Sequence, residues 1–87
     1  MERRDEYISR ENQYSIGIDL ENGQHYVSIP VSAQFFDYEE FYKVTDEQYE
    51  HFLADRPAAL AFVQECRRQE HDDLLTVKPG PNRGTAI

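Results

Sequence analysis

The sequence has few of the residues from which metal sites, disulfide frameworks and membrane anchors are built. Cys66 is the only cysteine among its 87 residues, so no internal disulfide can form and a thiolate metal site would lack ligands. There is no tryptophan, and no apolar run approaches the ~18 residues that span a bilayer. The first six residues carry mixed charge and lead into no apolar stretch, so we expect a cytoplasmic location.

Basic residues are scarce beside acidic ones. Nine lysines and arginines stand against 17 aspartates and glutamates, which gives a formal net charge of -8. Six of the acids and one base lie in residues 37–50, so this short stretch alone carries -5. Such a field repels nucleic acid and anionic lipid, and it attracts basic protein surfaces. We therefore expect a protein partner, and no nucleic acid, membrane or small-molecule substrate, although acidity also serves solubility alone.

Residues 14–31 show the clearest local pattern, an alternation of apolar and polar residues on both sides of Asn22 and Gly23. Asn-Gly is the preferred pair for a two-residue type I′ hairpin turn. A turn there places Ile18 opposite Val27 and continues the apolar pairing along one face of both strands. The pattern predicts an antiparallel hairpin with this register.

A third strand and two helices are indicated further along the chain. The aromatic content of residues 34–44 favours a strand, with the side that carries Tyr42 and Val44 towards the core. Thr45 to Gln48 read as a capping box that opens a first helix. Asp55 is a suitable N-cap for a second helix over residues 56–70. That helix has one apolar stripe, formed by Ala59, Phe62, Val63 and Cys66.

Strands first and helices later indicate an α+β fold. We expect an antiparallel sheet of three to four strands, the N-terminal hairpin plus the third strand, with one or two helices packed on one face. Residues 74–77 are a candidate last strand. We expect a flexible lead-in at residues 1–12, a single domain at residues 13–77 and a Pro/Gly-rich tail at residues 78–87.

The titratable residues suggest no catalytic or metal site. His25, His51 and His71 are far apart, and none has a second histidine at ligand spacing. Cys66 lies on the apolar stripe, where a thiol acts as a small hydrophobe. Carboxylates are abundant, but acid–base catalysis needs a cleft that desolvates one of them, for which a domain this small has little room. The sequence therefore predicts a protein that is not an enzyme and uses no cofactor.

The acidic-aromatic tract from Phe35 to Tyr42 is the strongest candidate for a binding surface. Tyrosines interleaved with carboxylates supply rigid anchors together with charge complementary to arginine and lysine. A half-buried strand with one solvated face explains the same tract, and the two interpretations are compatible. The locally basic tail, residues 78–84, is the second candidate. The predicted partner-binding residues are Asp37, Tyr38, Glu39, Glu40 and Tyr42, with the helix acids Asp46 and Glu47.

In size, acidity and the tract Asp-Tyr-Glu-Glu-Phe-Tyr at residues 37–42, the chain resembles immunity proteins of bacterial competition. These are small cytoplasmic inhibitors paired with secreted toxins of contact-dependent, Rhs or type VI systems. The resemblance covers the general character of the chain and assigns no subfamily, and the hairpin does not fit the four-helix inhibitors of nuclease colicins. It implies tight one-to-one binding that covers a toxin's active site. The toxin is often a basic nuclease, although NAD-degrading toxins also fit. The alternative is a small acidic adaptor or regulatory subunit of a larger complex.

Overall fold

The computed structural model describes residues 2–34, 36–80 and 83–87, and it has the predicted α+β fold. Four antiparallel strands form a meander in sheet order, and a short fifth strand pairs with the third. No helix among these residues is long and apolar enough to cross a membrane. The elements are β1 Arg3–Ser9, β2 Tyr14–Asp19, β3 His25–Ser32, β4 Asp37–Val44, α1 Asp46–Ala54, α2 Arg56–Arg67, a 3-10 turn Asp72–Leu74 and β5 Thr85–Ala86.

The core lies between one face of the sheet and the two helices. Alternate side chains of β2, β3 and β4 supply its sheet side, and the predicted apolar stripe of α2 supplies its helix side. Phe52 of α1 packs against Phe62 of α2 with ring centroids 5.1 Å apart. Tyr42 and Val44 face this core, as predicted. Its buried apolar members are Tyr14, Ile16, Val27, Ile29, Val31, Tyr42, Val44, Phe52, Ala59, Phe62, Val63, Cys66 and Leu75.

Both helices begin at their predicted caps. The Gln48 N–H donates to Thr45 Oγ1 at 3.1 Å, and the Thr45 N–H donates to Gln48 Oε1 at 2.9 Å, which completes the capping box. The Ala58 N–H donates to Asp55 Oδ1 at 3.2 Å at the start of α2. These local signals therefore place both helix starts correctly, and α2 ends at Arg67, a few residues before the predicted end.

The hairpin of β2 and β3 exists, but its predicted register is wrong by two residues. Ile16, rather than Ile18, lies opposite Val27, and Ile18 lies opposite His25. Because side chains alternate along a strand with a period of two, a slip of two keeps each apolar residue on its predicted face. The buried face is therefore the predicted one, although the facing pairs differ.

A four-residue loop at residues 20–23 accounts for the shift. The Gly23 N–H donates to the Asp19 carbonyl at 2.8 Å, and the Asp19 N–H donates to the Gln24 carbonyl at 2.8 Å. Asn22 Oδ1 accepts the Gln24 N–H at 2.9 Å, so the asparagine side chain stabilises this longer loop. Gly23 has a φ of +74°, but Asn22 keeps a negative φ, whereas a type I′ turn requires positive values at both.

Both ends of the chain contribute strands to the sheet. Residues 3–9, where we expected a flexible lead-in, form β1, which pairs with β2 and carries a bulge between Asp5 and Tyr7. Its many charged side chains are typical of an edge strand and give no apolar alternation. The predicted tail, residues 78–87, includes β5, which pairs with the end of β3. The predicted lead-in, third strand and tail also include Met1, Phe35, Pro81 and Asn82, which lie outside the described residues.

The candidate last strand at residues 74–77 makes a single β-bridge rather than a full strand. Leu75 bridges Tyr42, and the Thr76 N–H donates to the Phe41 carbonyl at 2.9 Å. This contact covers the outer edge of β4 at its C-terminal half. The chain then leaves that edge, and a groove separates residues 77–80 from β4.

Candidate protein-binding surface

The strand geometry of β4 divides the predicted partner-binding residues between the two faces of the sheet. Tyr38, Glu40 and Tyr42 lie on the helix side, and Asp37 and Glu39 lie on the other side. Tyr42 is 0% exposed and Glu40 is 7% exposed, so the chain itself covers these two residues. Tyr38 is half-buried, whereas Asp37 and Glu39 are exposed.

Asp46 and Glu47 lie at the far end of β4 from Asp37, roughly 23 Å along the strand. Both occupy the first turn of α1, where negative charge is favoured by the helix dipole. Asp46 Oδ1 also lies 2.8 Å from His25 Nδ1, and the His25 ring stacks on Tyr49 with centroids 3.7 Å apart. These two acids are exposed, but they do not form one patch with the acids of β4.

An arginine from the C-terminal segment explains why Glu40 can be buried. Arg83 Nε donates to Glu40 Oε2 at 2.7 Å and Nη2 donates to Oε1 at 3.0 Å. The same guanidinium donates to both carboxylate oxygens of Asp72, at 2.8 and 3.1 Å. The Tyr42 hydroxyl donates to Glu40 Oε1 at 2.8 Å. The predicted basic tail is thus held against the sheet at Arg83, and nothing in the local sequence pairs this residue with Glu40.

The ionisation of these groups follows from the same contacts. Hydrogen bonds to Asp72 and Glu40 raise the pKa of Arg83, so the guanidinium stays charged. Burial, together with the hydrogen bond to Glu40, raises the pKa of Tyr42, so its hydroxyl stays protonated and remains a donor. We call this cluster of Glu40, Asp72, Arg83 and Tyr42 the Arg83 network.

The face of the sheet opposite the helices carries a second cluster, centred on Tyr26. The Tyr26 ring is buried against Gly17, where any side chain would collide with its hydroxyl. The hydroxyl donates to Asp5 Oδ1 at 2.5 Å, and Phe41 packs edge-on against the ring with centroids 5.0 Å apart. Burial and this hydrogen bond raise the pKa of Tyr26. The cluster ties β1, β2, β3 and β4 together.

Arg3 extends this cluster to the outer edge of β4. Its guanidinium lies over the Phe41 ring, 4.9 Å from the centroid, and donates to Glu39 Oε2 at 3.1 Å. The ion pair is partly exposed and therefore contributes little stability by itself. It does fix the position of the Glu39 carboxylate beside the strand edge.

A groove of about 650 Å³ runs along the outer edge of β4. The strand forms one wall, and the segment after Leu75, residues 76–80, forms the other. Val77, 78% exposed, and Phe36, 65% exposed, are the most exposed large hydrophobic side chains in the described part of the chain, and both line this groove. We call it the edge groove and define it by Phe36, Tyr38, Glu39, Phe41, Val77 and Pro79.

Three cations (Arg3, Lys78 and Arg83) and two carboxylates (Glu39 and Glu40) line the edge groove, and Asp37 and Asp72 adjoin them. Arg3 is paired with Glu39, and Arg83 belongs to the Arg83 network. Asp37 and Lys78 have no ion-pair partner among the residues that the structure describes. The groove therefore combines an apolar centre with a rim of mixed charge.

Within the described ranges, no three histidine, cysteine, aspartate or glutamate side chains are grouped so that they could hold a metal ion. Cys66 is buried, and burial raises the pKa of its thiol to about 12, which keeps it protonated and unreactive at neutral pH.

Comparison with known proteins adds no further assignment. No family model matches the sequence, and searches of curated proteins and of solved structures found no match. The edge groove is therefore the feature of this chain that bears most directly on its function.

Proposed function

We propose that the protein is an immunity-type inhibitor in bacterial competition. In this proposal it acts in the cytoplasm, where it binds a cognate toxin with a basic surface, such as a nuclease, and covers the toxin's active site. The edge groove is the observation that carries the proposal. Exposed apolar patches with polar rims are typical of protein-binding sites, and Phe36 and Val77 form such a patch here.

Charge supports a basic partner. The net charge of -8 creates a field that accelerates encounter with a positively charged protein and disfavours acidic ones. Asp37 and Glu39 are exposed beside the groove, where they can contribute locally to the same attraction. In this arrangement the apolar side chains of the groove determine the lifetime of the complex, and the surrounding acids determine how fast it forms.

Co-expression with a toxin domain, sought in the gene immediately upstream, tests the proposal. Wild-type protein should restore growth of cells that produce the toxin, whereas the double variant Phe36→Asp/Val77→Asp should not. Leu20→Asp is the matched control, because Leu20 is an exposed hydrophobic residue in the hairpin loop, away from the groove. The two groove side chains are largely exposed, so their replacement should leave the fold intact.

Two results would contradict the proposal. Failure of the wild-type protein to protect cells would remove the immunity function and favour the adaptor or regulatory subunit, which binds a protein but neutralises no toxin. Full protection by the groove variant would show that the toxin is bound elsewhere on the surface.

A further inference from the structure

The outer edge of β4 is paired along only half of its length. The Thr76 N–H donates to the Phe41 carbonyl, so the backbone groups of Phe41 point outward. Because alternate residues of a strand direct their N–H and C=O groups to the same edge, those of Asp37 and Glu39 also point outward. No other described segment pairs with this part of β4. Residues 37–40 thus leave an open edge of about 13 Å.

The edge groove lies along this open edge. Phe36 and Val77 stand exposed beside backbone donors and acceptors that have no strand partner in the described part of the chain. Most proteins protect such edges, because an uncovered edge pairs readily with another chain. An apolar groove beside an open strand edge is the arrangement in which an extended peptide can add to a sheet.

We propose that the edge groove accepts an extended strand of a partner protein, which adds to the sheet beside residues 37–40. The added strand continues the line that Leu75 and Thr76 begin on the same edge of β4. Its backbone pairs with the N–H and C=O groups of Asp37 and Glu39, and its apolar side chains pack against Phe36 and Val77. This inference rests on the proposed function only in taking the occupant to be a protein.

Charge distinguishes a partner strand from a second copy of this chain. Pairing of two β4 edges about a two-fold axis would bring Asp37 and Glu39 of one copy against the same acids of the other. Like charges directly opposite each other destabilise a strand pair, and opposite charges stabilise it. Two chains that each carry -8 also repel each other. The occupant is therefore a strand in which apolar residues alternate with basic ones.

Short peptides test the inference without knowledge of the natural partner. The probe is a capped heptapeptide that alternates valine with lysine, titrated into 15N-labelled protein and followed by NMR. We expect shifts of the amide signals of residues 36–41, together with slower hydrogen exchange at Asp37 and Glu39. A peptide that alternates valine with glutamate should bind at least about tenfold more weakly. The valine–lysine peptide with N-methyl groups on alternate residues should not bind, because its pairing edge is blocked.

Two substitutions at Glu39 separate the backbone contribution from the charge. Glu39→Pro removes the outward N–H, and an edge strand tolerates proline because no bond to the neighbouring strand β3 is lost. Glu39→Gln keeps the N–H, and both variants lose the ion pair with Arg3. We expect Glu39→Pro to weaken the valine–lysine peptide at least about tenfold, and Glu39→Gln to weaken it about threefold at most.

Several outcomes would overturn the inference. These are the absence of shifts at residues 36–41 with millimolar valine–lysine peptide, undiminished binding of the N-methylated peptide, and equal binding by Glu39→Pro and Glu39→Gln. The co-expression assay separates this inference from the proposed function. Peptide binding at the edge without toxin neutralisation would support strand addition and contradict the immunity function. Full neutralisation of the toxin by Glu39→Pro would support the immunity function and contradict strand addition.

Discussion

Replacement of Arg83 by methionine tests whether the C-terminal segment stabilises the fold through a buried cation. The Arg83 side chain is 14% exposed and donates two hydrogen bonds each to Glu40 and Asp72. In Arg83→Met the Glu40 carboxylate, 7% exposed, keeps only the Tyr42 hydroxyl as a donor among the residues that the structure describes. Loss of one partner from a buried ion pair costs about 3–5 kcal/mol. We expect Arg83→Met to lower the free energy of unfolding by about 3 kcal/mol, the low end of this range, because Asp72 is 39% exposed and can be rehydrated.

Urea unfolding measured by circular dichroism gives this free energy by linear extrapolation. Arg4→Met is the control, because Arg4 is an exposed arginine whose ion pair with Glu6 should contribute less than about 1 kcal/mol. The double variant Arg83→Met/Glu40→Met should be more stable than Arg83→Met alone, since it no longer buries an unpaired carboxylate. A loss of stability for Arg83→Met as small as that for Arg4→Met would show that the Arg83 network is solvated and stabilises the fold little.

Three further predictions concern packing and ionisation. Gly17→Ala should lower the free energy of unfolding by about 1–3 kcal/mol, because the added methyl collides with the Arg4 carbonyl and the Tyr26 ring. Phe62→Ala should cost about 3–5 kcal/mol, because this buried ring packs in the core. An unchanged urea midpoint would contradict either expectation. Burial raises the pKa of the Cys66 thiol from 9.0 to about 12. Its contribution to stability is therefore complete below pH 9 and is lost as pH rises towards 12. Between about pH 8 and about pH 11, the free energy of unfolding should therefore fall less for Cys66→Ala than for the wild type. Parallel pH profiles of this free energy for the two proteins would contradict the assignment.

Features determined by neighbouring residues were predictable from the sequence. Thr45 and Asp55 cap their helices by accepting hydrogen bonds from backbone N–H groups three residues later in the chain. The apolar stripe of α2 that carries Phe62 follows from helical periodicity alone. The buried face of the hairpin followed from alternation in the same way. These signals are local, so tertiary contacts were not needed to interpret them.

Features that depend on distant residues were not predictable. Both a two-residue and a four-residue loop satisfy the alternation around Gly23, so the register was ambiguous by two residues. The charged residues of β1 have no apolar alternation from which to recognise an edge strand. Glu40 looked like a surface acid, because its partner Arg83 lies 43 positions away in the chain.

The candidate site was predictable only in its position along the chain. The tract at residues 37–42 does border the edge groove, and its exposed members Asp37 and Glu39 lie beside the open edge. The groove itself depends on how far the segment after Leu75 follows β4 before it leaves. The exposure of Phe36 and Val77 follows from that path, and no sequence pattern signals it.

Calorimetric titration tests the proposal that this chain binds a toxin through the edge groove. The toxin domain of the co-expression assay is titrated into the wild-type protein, Phe36→Asp/Val77→Asp and Leu20→Asp. We expect one-to-one binding by the wild type and by the Leu20 control, and at least about hundredfold weaker binding by the groove variant. Absence of binding by the wild type, or equal affinity for all three proteins, would contradict the proposal.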